Sequence, residues 1–294
     1  MRTVLVQIDS TKEGRRAAKA AFMAAKSENG HVTGVYVVPK SGKVTAETML
    51  MSRSSLGTPG QSFYGALHRA EQEGGPEAQA AHECFEEVAR EMNAELWDQP
   101  PGPDHLTANF MVVEEDGPDT MARLGRVFDL VVVRQPQNDP DNRLRKTLRS
   151  VLFQAGRPVL VAPSEEVSSL GSRLMIAWSK SALSARAAAI SRNFFGSADE
   201  VGILAVKTKS GSGSGPDAGD LAAYIGWHNI KATVSEVDLG DRRLGEQLLE
   251  EADNFEADLL VMGAYSSSPL RETLTGGITN HVLSDARVPL LMSH

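Results

Sequence analysis

At 294 residues, the chain has room for two domains of about 150 residues each. Its 41% hydrophobic and 23% charged residues are ordinary globular composition. A net charge of −8 with no strongly basic run argues against a nucleic-acid-binding surface, and no apolar run approaches the roughly 20 residues of a membrane-spanning helix.

In chain order, an apolar strand is expected over Thr3–Ile8 directly after Met1, so no signal peptide is read. A polar turn from Asp9 leads to an Ala-rich helix ending near Lys26. A strand over His31–Val38 follows, then a Gly-, Ser-, Thr- and Met-rich insertion over Lys40–Gly75, read as a solvated insertion with a short helix in preference to a mobile loop or a lid. A helix is predicted over Pro76–Leu96, a strand over Thr107–Glu114, a helix over Pro118–Val127, and strands over Asp129–Val133 and Arg157–Ala162. The single cysteine, Cys84, shares a helical stripe with Ala81, Val88 and Met92. It is read as core, and one cysteine fits a reducing cytoplasm.

After a polar linker at Ser164–Ser172 the pattern repeats. RLMIAWSKSALSARAAAISRNFF, from Arg173, echoes TVLVQIDSTKEGRRAAKAAFMAA. Strands are predicted over Glu200–Val206 and Lys231–Val237, and helices over Pro216–His228 and Arg242–Asn254, with a flexible Lys207–Pro216 loop between. Asp258–Met262 parallels Asp129–Val133, Leu270-Arg-Glu-Thr-Leu274 parallels Leu144-Arg-Lys-Thr-Leu148, and Arg287–Met292 parallels Arg157–Ala162. Near-continuous apolar strands alternating with helices indicate a parallel sheet covered on both faces. The chain thus reads as an α/β protein of two tandem doubly wound domains, 1–165 and 171–294.

The chemistry concentrates near the end. The last internal strand stops at Gly263. A small-polar loop then runs through Ser266, Arg271, Gly276 and Gly277 to Thr279 and a helix. Ligands of open parallel sheets bind beyond the carboxyl ends of the strands, at the switch in strand order. Glycine lets a ligand approach the backbone, and the amides of a helix start suit phosphate oxygens. Thr279 could add a hydroxyl, while Arg271 is open between a phosphate contact and pairing with Glu272 or another surface acid. Ser181 could cap the following helix or line the pocket, and Asp9 reads first as a turn and N-cap residue. The histidines show no metal-ligand spacing, and Trp227-His228 reads as packing. No nucleophile elbow or Walker lysine is present, so no catalytic residue is nominated.

The stretch GAYxxSxLRExLxGGxTxxVL resembles the universal stress protein family, and a bacterial subgroup of it in particular. Nucleotide-binding members carry G-x-x-G and, after a spacer, G-[ST]. Gly263 and Gly276 match the first and third glycines. Ser266 stands at the second, and Gly277 at the Ser/Thr position. The resemblance covers nearly the whole chain as a tandem pair. It implies flavodoxin-like domains of the adenine nucleotide alpha hydrolase-like type, each with a mainly parallel five-stranded sheet between helices. It also implies a cytoplasmic stress-response regulator binding ATP or another adenine nucleotide, with no metal beyond nucleotide-bound Mg. Dimer-like packing is implied too, as an intramolecular pseudo-dimer or a homodimer, with an unknown protein partner.

The family's nucleotide binders also carry an Asp at the end of the first strand. Here that position is Ser179 in the second half and Asp9 in the first, so the half with the glycines lacks the acid. The first half's fourth strand runs into Arg134-Gln-Pro-Gln-Asn, without glycine, and is expected to be a degenerate, structural copy. The competing function is a scaffold of the same fold that binds no nucleotide; an ATPase ranks last.

Overall fold

The first strand begins two residues into the chain because Asp129 holds it there: its Oδ2 accepts from the backbone N–H groups of Arg2 and Thr3 at 3.1 and 2.9 Å. Asp258 does the same for the repeat, accepting from the N–H groups of Gly171, Ser172 and Arg173. The computed structural model describes residues 1–38, 75–114, 118–137, 139, 141–207, 215–264 and 278–294.

The first half contains β1 (Thr3–Gln7), α1 (Lys12–Lys26), β2 (His31–Val38), α2 (Gly75–Glu91), β3 (Glu95–Leu96), β4 (Thr107–Glu114), α3 (Thr120–Gly125), β5 (Leu130–Arg134), α4 (Arg143–Gln154) and β6 (Val159–Ala162). The second contains β7 (Arg173–Ala177), α5 (Ala182–Ser191) with a 3-10 turn at Arg192–Ser197, β8 (Glu200–Lys207), α6 (Ala218–Gly226), β9 (Ala232–Asp238), α7 (Leu244–Asn254), β10 (Leu259–Gly263), α8 (Ile278–Asp285) and β11 (Leu290–Ser293).

The strands form one sheet in the order β3-β4-β2-β1-β5-β6-β11-β10-β7-β8-β9. All pairs are parallel except β6–β11, where Val159, Leu160 and Val161 face Met292, Leu291 and Leu290 antiparallel. Each half thus repeats one five-strand order, and the two orders meet back to back at their closing strands. The short β3 adds an eleventh strand at the first half's edge, beside β4. The apolar layers run across the junction. Leu160 and Leu291 belong to the face covered by α1, α2, α5 and α6, while Val159, Val161, Leu290 and Met292 belong to the face covered by α3, α4, α7 and α8. Every strand of a doubly covered sheet needs apolar side chains on both faces, which is why β5 and β10 read as unbroken apolar runs.

Three local expectations are corrected. The helix predicted over Pro76–Leu96 stops at Glu91, because Asn93 turns left-handed (φ 57°) and the Ala94 N–H bonds back to the Ala89 carbonyl. Glu95–Leu96 then form β3. The Pro118–Val127 helix is confined to Thr120–Gly125. Trp227 is not packing: it is 87% exposed, and its neighbour His228 makes the edge contacts, with Phe195 and Tyr224. Cys84 packs half-buried against the core, and burial pushes its thiol up despite nearby Arg15. The Lys40–Gly75 insertion lies, except for Gly75, outside the described residues.

Candidate functional site

The strand order reverses between β1 and β5 in the first half and between β7 and β10 in the second, so each half has a switch point at the carboxyl end of those strands. In the second half β10 ends on Gly263. A β-carbon there would lie 2.8 Å from the backbone carbonyl carbon of Leu183 and from the backbone nitrogen of Ser184. Gly263 therefore lets the first turn of α5 rest against the end of β10. Ser181 is the N-cap of α5, accepting from the Ser184 N–H at 3.1 Å, while Ser184 Oγ accepts from the Ser181 N–H at 3.2 Å. Of its two sequence readings, the cap is the one realised. Ser179 is exposed beside it, with its Oγ 3.0 Å from Ser181 Oγ. Thr279 lies in the first turn of α8 and is 3% exposed. Ser266, Arg271, Gly276 and Gly277 lie outside the described residues.

The first half builds the same corner differently. Strand register places Arg134 at the position of Gly263, and Asp9, Thr11 and Gly14 at those of Ser179, Ser181 and Ser184. Thr11 is the N-cap of α1, accepting from the Gly14 N–H. Asp9 is a turn residue rather than the cap: its Oδ1 accepts from the Thr11 N–H at 3.1 Å and from the Thr11 hydroxyl. The close approach is now carried by the helix, because a β-carbon on Gly14 would fall 2.5 Å from the Asp9 carbonyl oxygen. Arg134 occupies the corner in the first half. Its guanidinium lies 2.6 Å from Asp9 Oδ2 and donates to Thr11 Oγ1 at 3.0 Å. A cleft of about 310 Å³ remains beside it, bounded by Tyr36, Met121, Arg143 and Thr147. Burial, reinforced by Glu77 and Asp9, pushes the Tyr36 hydroxyl up, so it faces the cleft as a neutral phenol.

The segment after β5 runs to the other half. Gln135 is 4% exposed; its amide donates to the Ala286 carbonyl at 3.0 Å, and its oxygen accepts from the Ser164 N–H at 3.1 Å. Gln137 donates to the Ser284 carbonyl at 2.9 Å. These two side chains satisfy carbonyls at the carboxyl end of α8 that lack helical partners. Their signal in the sequence is Arg134-Gln-Pro-Gln standing where the repeat has Gly263-Ala-Tyr-Ser.

Residues 180–294 match the universal stress protein family. Among solved structures, a universal stress protein from Archaeoglobus fulgidus DSM 4304 is similar over 99% of this chain and 95% of its own length, at TM-score 0.66 and 14% identity. A Pseudomonas aeruginosa UCBPP-PA14 protein, provisionally described as a universal stress protein, is similar over 100% and 93%, at TM-score 0.55 and 12% identity. At such identities the likeness is one of fold, and it extends across both halves. No curated protein matches the chain. The matched region begins within the β7–α5 turn, so it includes Gly263 and Thr279 and starts just after Ser179. Among the described residues no helix is long and apolar enough to cross a membrane, and no three His, Cys, Asp or Glu side chains cluster as a metal set.

Proposed function

We propose that the second half binds an adenine nucleotide at the β7–β10 switch point, as a regulatory ligand in a cytoplasmic stress response. The observation that supports this reading most is the corner at Gly263, inside the matched family domain. There the bare strand end, the start of α5 and the exposed Ser179 hydroxyl meet at the sheet's ligand-binding edge. Ser266, Arg271, Gly276, Gly277 and Thr279 would complete the phosphate contacts, with magnesium entering only as the nucleotide's counter-ion. The first half contributes a partner surface instead: its corner is filled by Arg134 and its loop is anchored on α8. The β6–β11 junction would serve as an intramolecular pseudo-dimer interface between domains 1–165 and 171–294.

Calorimetry of the full chain with ATP, ADP, AMP and cyclic AMP tests this. Saturable binding of at least one, weakened at least tenfold by Arg271→Ala, is expected. No heat at millimolar ligand would refute it.

A second reading, a scaffold without nucleotide, is favoured by one feature. Helix packing alone accounts for Gly263, since its missing β-carbon is needed by Leu183 and Ser184. On that reading Gly276→Val leaves the protein's behaviour in cells unchanged.

A further inference from the structure

The two halves also differ at the opposite end of the sheet, where the strands begin. In the second half, the face of β8 is filled there by the chain itself. Phe255, the C-cap of α7, lies over Gly202, so close that a β-carbon on Gly202 would sit 3.0 Å from the ring. Strand register makes Thr33 the counterpart of Gly202. Arg126 is the counterpart of Phe255: it is the C-cap of α3 and stands three residues before Asp129, as Phe255 stands before Asp258. No ring is supplied at Arg126, whose side chain is exposed and turns its Nε toward the Gln154 carbonyl at 3.4 Å.

In the first half Thr33 instead lines a cavity. A cavity of about 680 Å³ lies over the starts of β2 and β4, within the range of about 300–1,000 Å³ typical of small-molecule pockets. Its outer wall is Trp97. That residue belongs to residues 95–106, which have no counterpart: left-handed Asn93 is followed by this segment before Thr107, whereas left-handed Asn229 reaches Lys231 after one residue. Leu124 and Phe128 also line it, and Val127, another lining residue, is 77% exposed.

The floor is polar where a doubly covered sheet is normally apolar. His31 Nδ1 lies 2.9 Å from Thr107 Oγ1, and His31 Nε2 lies 3.1 Å from Asn109 Oδ1. Because a carboxamide oxygen only accepts, Nε2 carries the proton and Nδ1 accepts from the Thr107 hydroxyl. The network thereby uses the Asn109 oxygen and leaves its N–H₂ without a protein partner among the described residues, at the cavity floor. The two arginines at the rim are already charge-matched. Arg123 meets Asp119 at 2.8 Å, and Arg2 meets the Glu28 carbonyl at 2.5 Å and Asp104 at 3.9 Å.

We infer that the first half binds a neutral heteroaromatic small molecule in this cavity, its ring standing between Trp97 and Phe128 where the second half keeps its own Phe255 ring, and a ring nitrogen accepting from Asn109. Aromatic walls select a planar ring, the Asn109 donor selects an acceptor on its edge, and the matched rim charges give no preference for an anion. The site is separate from the switch-point corners, since it lies at the amino ends of the strands.

Ligand-observed NMR titration of the full chain with benzimidazole tests the inference, with cyclohexanol as the non-aromatic control. Saturable benzimidazole binding, no saturation by cyclohexanol, and no displacement by millimolar ATP are expected. Trp97→Ala, at a partly exposed wall, should weaken benzimidazole at least tenfold while circular dichroism stays unchanged. The double variant Thr33→Gly/Arg126→Phe, which reproduces the second half's Gly202 and Phe255, should weaken it similarly by filling the cavity. If folded wild-type protein fails to saturate at millimolar benzimidazole, the inference is overturned. Equal binding by both variants, equal saturation by cyclohexanol, or displacement by ATP would each overturn it as well.

Discussion

Arg134 Nη1 stands 2.6 Å from Asp9 Oδ2, at the corner where the second half has Gly263 and Ser179. The two corners thus differ by one residue on each strand end. An arginine replaces the glycine, an aspartate replaces the serine, and the two neutralise each other over the start of α1. Both side chains are about three-quarters covered, yet the corner still touches solvent, so the pair ranks with partly exposed ion pairs. Arg134→Ala should cost about 0.5–1 kcal/mol in urea unfolding of the full chain. A loss above about 3 kcal/mol would mean that Arg134 acts as a buried core member instead.

Gly263→Ala tests the helix–strand contact of the other corner. The added methyl meets backbone atoms of Leu183 and Ser184, which cannot move without shifting the start of α5. Overpacking of this kind costs about 1–3 kcal/mol. Denaturant midpoints of wild type and variant measure it, and equal midpoints would show that α5 does not rest on β10 as described.

The strut between the halves depends on Gln135. Gln135→Leu keeps the volume but removes the donor to Ala286 and the acceptor for Ser164. Leaving these backbone groups unmatched should cost about 1–3 kcal/mol. Amide hydrogen exchange should quicken at Ser164 and around α8 in this variant, and unchanged exchange at both places would contradict the strut.

Burial holds the His31 imidazole below its ordinary value of 6.5, against the opposing effect of the hydrogen bond it donates to Asn109. The unfolded chain therefore takes up this proton before the folded protein does. Stability from this residue is fully present above about pH 6.5 and is lost as pH falls from there through the lower folded value. Thermal midpoints should drop between pH 7.5 and pH 5, and His31→Gln should flatten that part of the profile. An identical pH profile for the variant would remove His31 from the account.

The repeat, the alternation of strands and helices, and the parallel sheet were legible because each is written in local pattern: apolar runs, Ala-rich stripes and turn residues at matching places. The antiparallel β6–β11 junction was not legible, since Val159–Ala162 and Leu290–Ser293 read as apolar strands whichever partner they take. Nor was the stop of α2, where the helical pattern continues past Glu91 but the left-handed turn at Asn93 overrides it. At the candidate site, Gly263 and Ser181 stand out in the sequence at the end of a strand and the start of a helix. Their contacts, a close-packed helix and a cap, are three-dimensional facts that a glycine or serine letter leaves open. The cavity at Trp97 left almost no sequence trace. It arises from a ring missing at Arg126 and a polar row on alternate residues of two strands, visible only when β2 and β4 are set side by side.

The proposed asymmetry is that one half keeps a nucleotide site while Arg134 occupies the matching corner of the other. Native mass spectrometry of the intact chain with ATP, ADP, AMP and cyclic AMP, each at millimolar concentration, tests it most directly. At least one of these nucleotides should bind, as a single molecule per chain that disappears in Gly276→Val and persists in Arg134→Ala. No bound nucleotide, two per chain, or one that survives Gly276→Val would contradict the account.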